Sequence, residues 1–171
     1  MLGWWMTWIG ITAASGALLL GLLLPQTRAG THEAVLPAPP EQVRRTILDA
    51  GAQPGWRADI AAVDLEAGGG AWTERTRRGE RIRFELIEAT DARIALRFRS
   101  SHGYHGQWTG EIAPAPAGGT RLRVQESAVV PNPLARLAAR VFFDPDAFAR
   151  RWVDALAAEL ARRSAATRGS A

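Results

Sequence analysis

Apolar and charged side chains alternate residue by residue through much of the segment between residues 60 and 130. Ile82, Phe84 and Leu86 share one phase, and the charged residues between them share the other. Successive side chains of a β-strand point to opposite faces, so this alternation predicts strands with one buried and one wet face. The pattern is typical of an antiparallel sheet that is covered on a single side.

Six such segments follow one another, separated by turns that contain glycine, proline or aspartate. The predicted strands cover residues 60–67, 71–77, 81–89, 92–100, 106–113 and 120–130. The glycines at 68–70 indicate a hairpin turn rather than a phosphate-binding loop, because they join two strands directly. A short extended segment, residues 31–36, precedes the series.

Helices are predicted on both sides of the strands. Pro40 suits the first position of a helix, residues 41–50 read as helical, and Gly51 stops the helix. After the last strand, residues 134–143 read as a short helix, and Asp144 is a good N-cap for a long one that runs to about Arg163. This long helix carries one apolar stripe, formed by Phe148, Trp152, Ala155, Leu156 and Leu160, and is expected to cover the sheet.

The first 24 residues contain no charged side chain. At ~1.5 Å per residue, a helix of this length reaches roughly 36 Å and crosses a bilayer core of ~30 Å. Residues 1–25 are therefore predicted to be a transmembrane anchor, with Trp4, Trp5 and Trp8 at one interface. A cleaved signal peptide is the alternative, with a cleavage site at residues 27–29, although the basic n-region is missing.

Basic residues near the anchor give a predicted orientation. Arg28, Arg44 and Arg45 lie on its C-terminal side, and the N-terminal side has only the α-amino group. The positive-inside rule then places the following domain in the cytoplasm. The expected location is the cell inner membrane, with a single pass.

The rest of the chain is expected to form one domain, residues 31–163, with a disordered tail at 164–171. Absence of cysteine excludes disulfides, thiolate metal sites and a cysteine nucleophile. All 21 basic side chains are arginine, which excludes Schiff-base chemistry and a Walker-type loop. Because 17 acidic residues are mixed among them and the net charge is only +4, nucleic acid is not an expected partner.

Four short segments mark a known fold. They are residues 36–43 (Leu-Pro-Ala-Pro-Pro-Glu-Gln-Val), Trp56-Arg57, residues 106–110 (Gly-Gln-Trp-Thr-Gly) and Asn132-Pro133. With the order of elements, they resemble the START-like / polyketide cyclase (SRPBCC) superfamily, in particular bacterial members with one N-terminal membrane helix. The resemblance implies an α+β helix-grip fold, in which a curved antiparallel sheet packs on a long C-terminal helix after one transmembrane helix.

The resemblance also implies that apolar or amphipathic ligands bind between the sheet and the helix, and that some members catalyse cyclisation or dehydration there. Strand phase adds two carboxylates to this space, because Glu74 shares the phase of Trp72 and Glu126 continues that of Leu122 and Val124. The alternative is that both glutamates lie at strand ends, where they reach water or pair with arginine. The predicted ligand-binding residues are Arg57, Trp72, Glu74, Phe84, Trp108, Glu126 and Trp152.

No catalytic residue, metal ligand or cofactor is predicted. The loop at residues 102–105 contains two histidines, but their spacing is loose, and we interpret it as a solvated loop over the pocket mouth. The five arginines of the outer sheet face are either simply solvated or attracted to anionic lipids; they are Arg83, Arg97, Arg99, Arg121 and Arg123.

The predicted function is membrane-anchored binding of a hydrophobic small molecule or lipid, so the expected partners are that ligand and the membrane. Two alternatives remain open. One is a cyclase or dehydratase that uses the inward carboxylates as acid and base. The other is a non-catalytic interaction protein whose cavity is filled by its own side chains, which seven tryptophans and five phenylalanines permit. The oligomeric state is not predicted.

Overall fold

Seven antiparallel strands form one sheet in the order β1-β7-β6-β5-β4-β3-β2. The protein is represented by a computed structural model that describes residues 16–169, except the side chains of 168 and 169. The strands are β1 (Thr27–Leu36), β2 (Ile60–Leu65), β3 (Ala71–Thr76), β4 (Arg81–Ala89), β5 (Arg93–Ser100), β6 (His105–Pro114) and β7 (Thr120–Val129). The six strands predicted from alternation are β2 to β7, and β1 closes the sheet against β7.

Three helices follow the predicted order. They are α1 (Pro40–Leu48), α2 (Pro133–Phe142) and α3 (Pro145–Gly169), and a 3-10 helix, Ala50–Gly55, follows α1. Asp144 caps α3, because its Oδ1 accepts the backbone N–H groups of Asp146 at 3.0 Å and Ala147 at 3.1 Å. The helix continues through residues 164–169, where the sequence predicts a disordered tail.

The core lies between the concave face of the sheet and α3. Ala149, Val153, Leu156 and Leu160 form the buried stripe of α3, and Leu122 is one of the inward sheet residues beneath it. The predicted arginines occupy the opposite face, where Arg83 pairs with Glu66 at 2.7 Å. The helix therefore covers the apolar side of the sheet, as the helix-grip arrangement requires.

The start of α3 is fixed closely on β1. A Cβ added to Gly30 would lie 2.5 Å from the carbonyl carbon of Pro145, so only glycine fits at this approach. The backbone N–H of Thr31 donates to Asp146 Oδ1 at 2.9 Å. β1 begins at Thr27, earlier than predicted, because it pairs with β7 along its whole length, from Thr27 opposite Val129 onward.

The N-terminal segment departs from the prediction. Most of the expected anchor, residues 1–15, lies outside the described residues. Residues 16–23 are helical, and their C-terminal end rests on α2, where the buried Arg136 donates to the carbonyl oxygens of Gly21 and Leu24 at 3.1 Å each. Between residues 16 and 169, no helix combines the length and apolar content needed to cross a membrane. This finding contradicts the predicted single-pass inner-membrane location with a cytoplasmic domain.

Candidate functional site

A buried arginine forms hydrogen bonds with the polar side chains grouped at the concave face. Arg57 follows the 3-10 helix and is only 7% exposed. Its Nη1 donates to Gln53 Oε1 at 2.7 Å and to Glu74 Oε2 at 2.9 Å, and its Nη2 donates to Asp59 Oδ2 at 2.8 Å. Trp72 Nε1 donates to the other oxygen of Glu74 at 3.3 Å. These contacts make Glu74 a fully partnered carboxylate, although it is only 2% exposed.

Burial and pairing act in opposite directions on this ion pair. Burial raises the pKa of the Glu74 carboxyl, and Arg57 and the Trp72 indole oppose that increase. Burial also disfavours the charge of Arg57, but Glu74 and Asp59 together raise the pKa of its guanidinium. Arg57 therefore stays charged, and its positive charge is balanced by Glu74 and Asp59.

Glu126 lies in a different environment. It is half-buried in β7, directly opposite Trp108 on β6 and Gly30 on β1. Within the described part of the chain, no side chain or backbone group forms a hydrogen bond or ion pair with its carboxyl. Burial raises the pKa of Glu126 to about 7; Arg57 lowers it and Glu74 raises it further. The carboxyl can therefore gain or lose a proton near neutral pH.

Three tryptophans, from the end of the 3-10 helix, from β6 and from α3, form one connected group. We call Trp56, Trp108 and Trp152 the tryptophan cluster. The Trp152 ring, from α3, lies 5.1 Å from the Trp108 ring and 5.8 Å from the Trp56 ring, centroid to centroid. The indole nitrogen of Trp56 is buried without a hydrogen-bond partner, and so is Nε of Arg57. Buried polar atoms without partners are rare in native proteins and call for a water or a ligand.

A second aromatic group continues along the concave face. The rings of Trp72 and Phe84 are stacked at 5.6 Å and 12°, Phe98 lies 5.7 Å beyond Phe84, and Tyr104 lies 6.2 Å beyond Phe98. Phe84 and its inward neighbours on β4, Ile82 and Leu86, are only half-buried. α3 packs mainly on β1, and the inward side chains of β4 stay partly accessible to solvent.

The structure brings the seven predicted residues to one side of the sheet. Glu74 contacts both Arg57 and Trp72, Trp72 stacks on Phe84, and Trp108 contacts Trp152. Glu126 is close enough for its pKa to respond to Arg57 and Glu74. The alternative interpretation was that both glutamates reach water or pair with arginine at strand ends. Glu74 does pair with an arginine, but the pair is buried inside the protein. The ligand-binding role of all seven remains a prediction.

The tryptophan cluster lies in the region in which a ligand was expected. A cavity of about 630 Å³ opens where β1, α2 and the start of α3 meet, and one of about 140 Å³ lies between residues 24–28 and α2. None of the predicted site residues lines either cavity.

Sequence reasoning missed several residues of the site. Phe98 has the same strand phase as Ile94 and Leu96, so strand phase alone was sufficient to find it. Trp56 and Tyr104 lie in irregular segments, where no periodicity indicates which side chains point inward. Asp59 and Gln53 join the site only because the 3-10 helix turns Arg57 toward the sheet.

Comparison with known proteins agrees with this architecture. Residues 28–167 match the family model described as polyketide cyclase / dehydrase and lipid transport. A START superfamily protein from Mycobacterium smegmatis aligns with 81% of this chain and 99% of its own, at TM-score 0.59 and 16% identity. No curated protein matches the sequence.

Two further solved structures are similar in fold. A conserved protein from Geobacillus kaustophilus aligns at TM-score 0.65 and 14% identity, over 79% of this chain and 96% of that one. A norcoclaurine synthase point mutant from Thalictrum, in complex with a transition-state analogue, aligns at TM-score 0.64 and 11% identity, over 81% and 96%. At these identities the likeness concerns the fold alone.

Proposed function

Because the chain belongs to the polyketide cyclase / dehydrase and lipid transport family, we propose that it binds a hydrophobic small molecule or lipid between the concave face of its sheet and α3. Burial of apolar ligand surface, at about 25 cal/mol per Å², supplies the affinity. The aromatic side chains of β3 to β6 supply the apolar lining, and a few polar groups orient the ligand, as in most small-molecule sites.

One observation carries the proposal: polar atoms without partners occur next to apolar side chains that solvent reaches. The Trp56 indole nitrogen and Arg57 Nε are buried and unpartnered, and the Glu126 carboxyl has no partner within residues 16–169. Leaving a buried donor unpaired costs about 1–3 kcal/mol. A ligand that offers hydrogen-bonding groups here recovers this cost.

The neutral apolar dye Nile red tests the proposal with the full-length chain. We expect saturable binding, and we expect Phe84→Ala to weaken it by about tenfold, because a half-buried ring at the accessible side is removed. The matched control is Ile87→Ala on the same strand, where the side chain is 51% exposed. Equal dye affinity in the two variants, or no saturation, contradicts the proposal; circular dichroism checks that both variants are folded.

A second candidate function is acid–base catalysis at the same site. Its support is the pKa of about 7 at Glu126, a value suited to proton transfer at neutral pH. Mass spectrometry of a bound ligand before and after incubation separates the two functions. Recovery of an unchanged ligand supports binding, whereas loss of water or ring closure supports catalysis of the dehydratase or cyclase type.

A further inference from the structure

The charges around the tryptophan cluster are not balanced. Arg57 is matched twice, by Glu74 at 2.9 Å and by Asp59 at 2.8 Å. Glu126 has no ion pair anywhere in residues 16–169, and Arg57 is the cation whose charge reaches it. A negatively charged ligand group would therefore meet carboxylates here, and the positive charge beside them is already paired.

No cation of the neighbouring elements forms an ion pair with Glu126 within residues 16–169. On β1, Arg28 donates to the carbonyl oxygens of Ala139 and, at 2.8 Å, Phe143, at the C-terminal end of α2. His32 is the other titratable group on the inward side of β1. Tyr104 stays neutral, because burial raises the pKa of its hydroxyl. The charged side chains at the start of α3 are exposed: Asp146, Arg150 and Arg151.

An indole ring is the cross-strand neighbour of the unmatched carboxyl. Trp108 is its direct cross-strand neighbour, and Trp152 lies 5.1 Å from Trp108. The faces of indole rings attract cations, and this attraction strengthens when water is excluded. A positive ligand group next to Glu126 thus gains from the carboxylate and from the rings together.

We infer that the ligand of this site carries a protonated amine, which pairs with Glu126 while the apolar part of the ligand lies against Trp108 and Trp152. The inference rests on the proposed function, since it specifies the head group of the ligand bound there. The ligand amine would then be the partner that the Glu126 carboxyl lacks in the free protein.

The pairing requires an ionised carboxyl, so the preference depends on pH. Because burial raises the pKa of Glu126 to about 7, its ionised fraction increases between about pH 6 and pH 8. Most alkyl amines stay protonated over that interval. Amine affinity therefore rises with pH, whereas the affinity for an alcohol of the same shape does not.

Three probes that share a naphthalene ring test the head group: the amine naphthylethylamine, the alcohol naphthylethanol and the carboxylate naphthaleneacetate. Calorimetry with the full-length protein at about pH 8 should give amine affinity about tenfold above carboxylate affinity, and this ratio should fall at about pH 6. Glu126→Gln should bind the amine no better than the alcohol, and should keep its alcohol affinity. Glu111→Gln, an exposed position on β6, is the matched control and should keep the amine preference.

The outcomes separate this inference from the proposed function. If the alcohol binds but the carboxylate binds as tightly as the amine, the inference is overturned and the binding site stands. The inference is likewise overturned, and the site retained, if Glu126→Gln keeps the amine preference. If none of the three probes binds, both the inference and the proposed site are overturned.

Discussion

At the scale of single residues, two glutamates on the same face of one sheet differ in their partners. Glu74 is paired with Arg57 and Trp72, whereas Glu126 has only aromatic and glycine neighbours across its strands. Strand phase predicted from the sequence that both point inward. It did not predict which one is paired, because that depends on where the irregular segment after α1 places Arg57.

This difference makes folding stability sensitive to Glu126. Its pKa rises from 4.5 to about 7 on folding, so the folded state binds the extra proton. The contribution of the protonated Glu126 to the free energy of unfolding is fully present below about pH 4.5. It is lost as the pH rises through 7, which lowers the free energy of unfolding by about 1–3 kcal/mol. Glu126→Gln should remove this loss. Urea unfolding of both proteins from about pH 5 to 8 measures it; parallel curves would contradict the assignment.

At the scale of elements, the alternation of side chains predicted β2 to β7 closely, with ends that differ by a few residues. The start of β1 was not predicted, since Thr27 to Gly30 show no apolar alternation and join the sheet by pairing with β7. The long helix was predicted from its stripe and its cap. Its position on β1 depends on a contact between Gly30 and Pro145 that no periodic pattern indicates.

Substitution of that glycine tests how α3 is positioned. Gly30→Ala places a methyl group 2.5 Å from Pro145, and overpacking of this kind costs about 1–3 kcal/mol. We therefore expect a lower thermal midpoint. Gly55→Ala is the control, because a Cβ there meets no atom within 4 Å. Equal losses in the two variants would show that the contact does not hold the helix.

At the scale of the whole molecule, residues 21–24 are in contact with the domain. Arg136 from α2 binds carbonyl groups of Gly21 and Leu24, and Arg28 from β1 binds the carbonyl groups that end α2. Hydropathy alone predicted an anchor here. It took no account of the arginines, which stabilise helix ends through contacts between residues more than 100 positions apart.

Shortened chains test this integration. A chain that starts at residue 31 loses the pairs from Thr27 to Gly30 with β7, as well as Arg28, whereas a chain that starts at residue 25 keeps both. At about 1 kcal/mol for each hydrogen bond, we expect the shorter chain to be less stable by about 2–4 kcal/mol. The midpoint of urea unfolding compares them directly. Similar midpoints would mean that the pairing of residues 27–30 with β7 adds no stability, so that β1 effectively begins at residue 31, as the sequence predicts.

The fixed start of α3 also limits how a molecule reaches the interior. With Pro145 lying on Gly30 and Asp146 bound to Thr31, this end of the helix cannot lift without losing its contacts to the sheet. If a ligand binds as proposed, we expect it to enter beside the half-buried Phe84, and we expect Trp152, two turns further along the helix, to move aside for it.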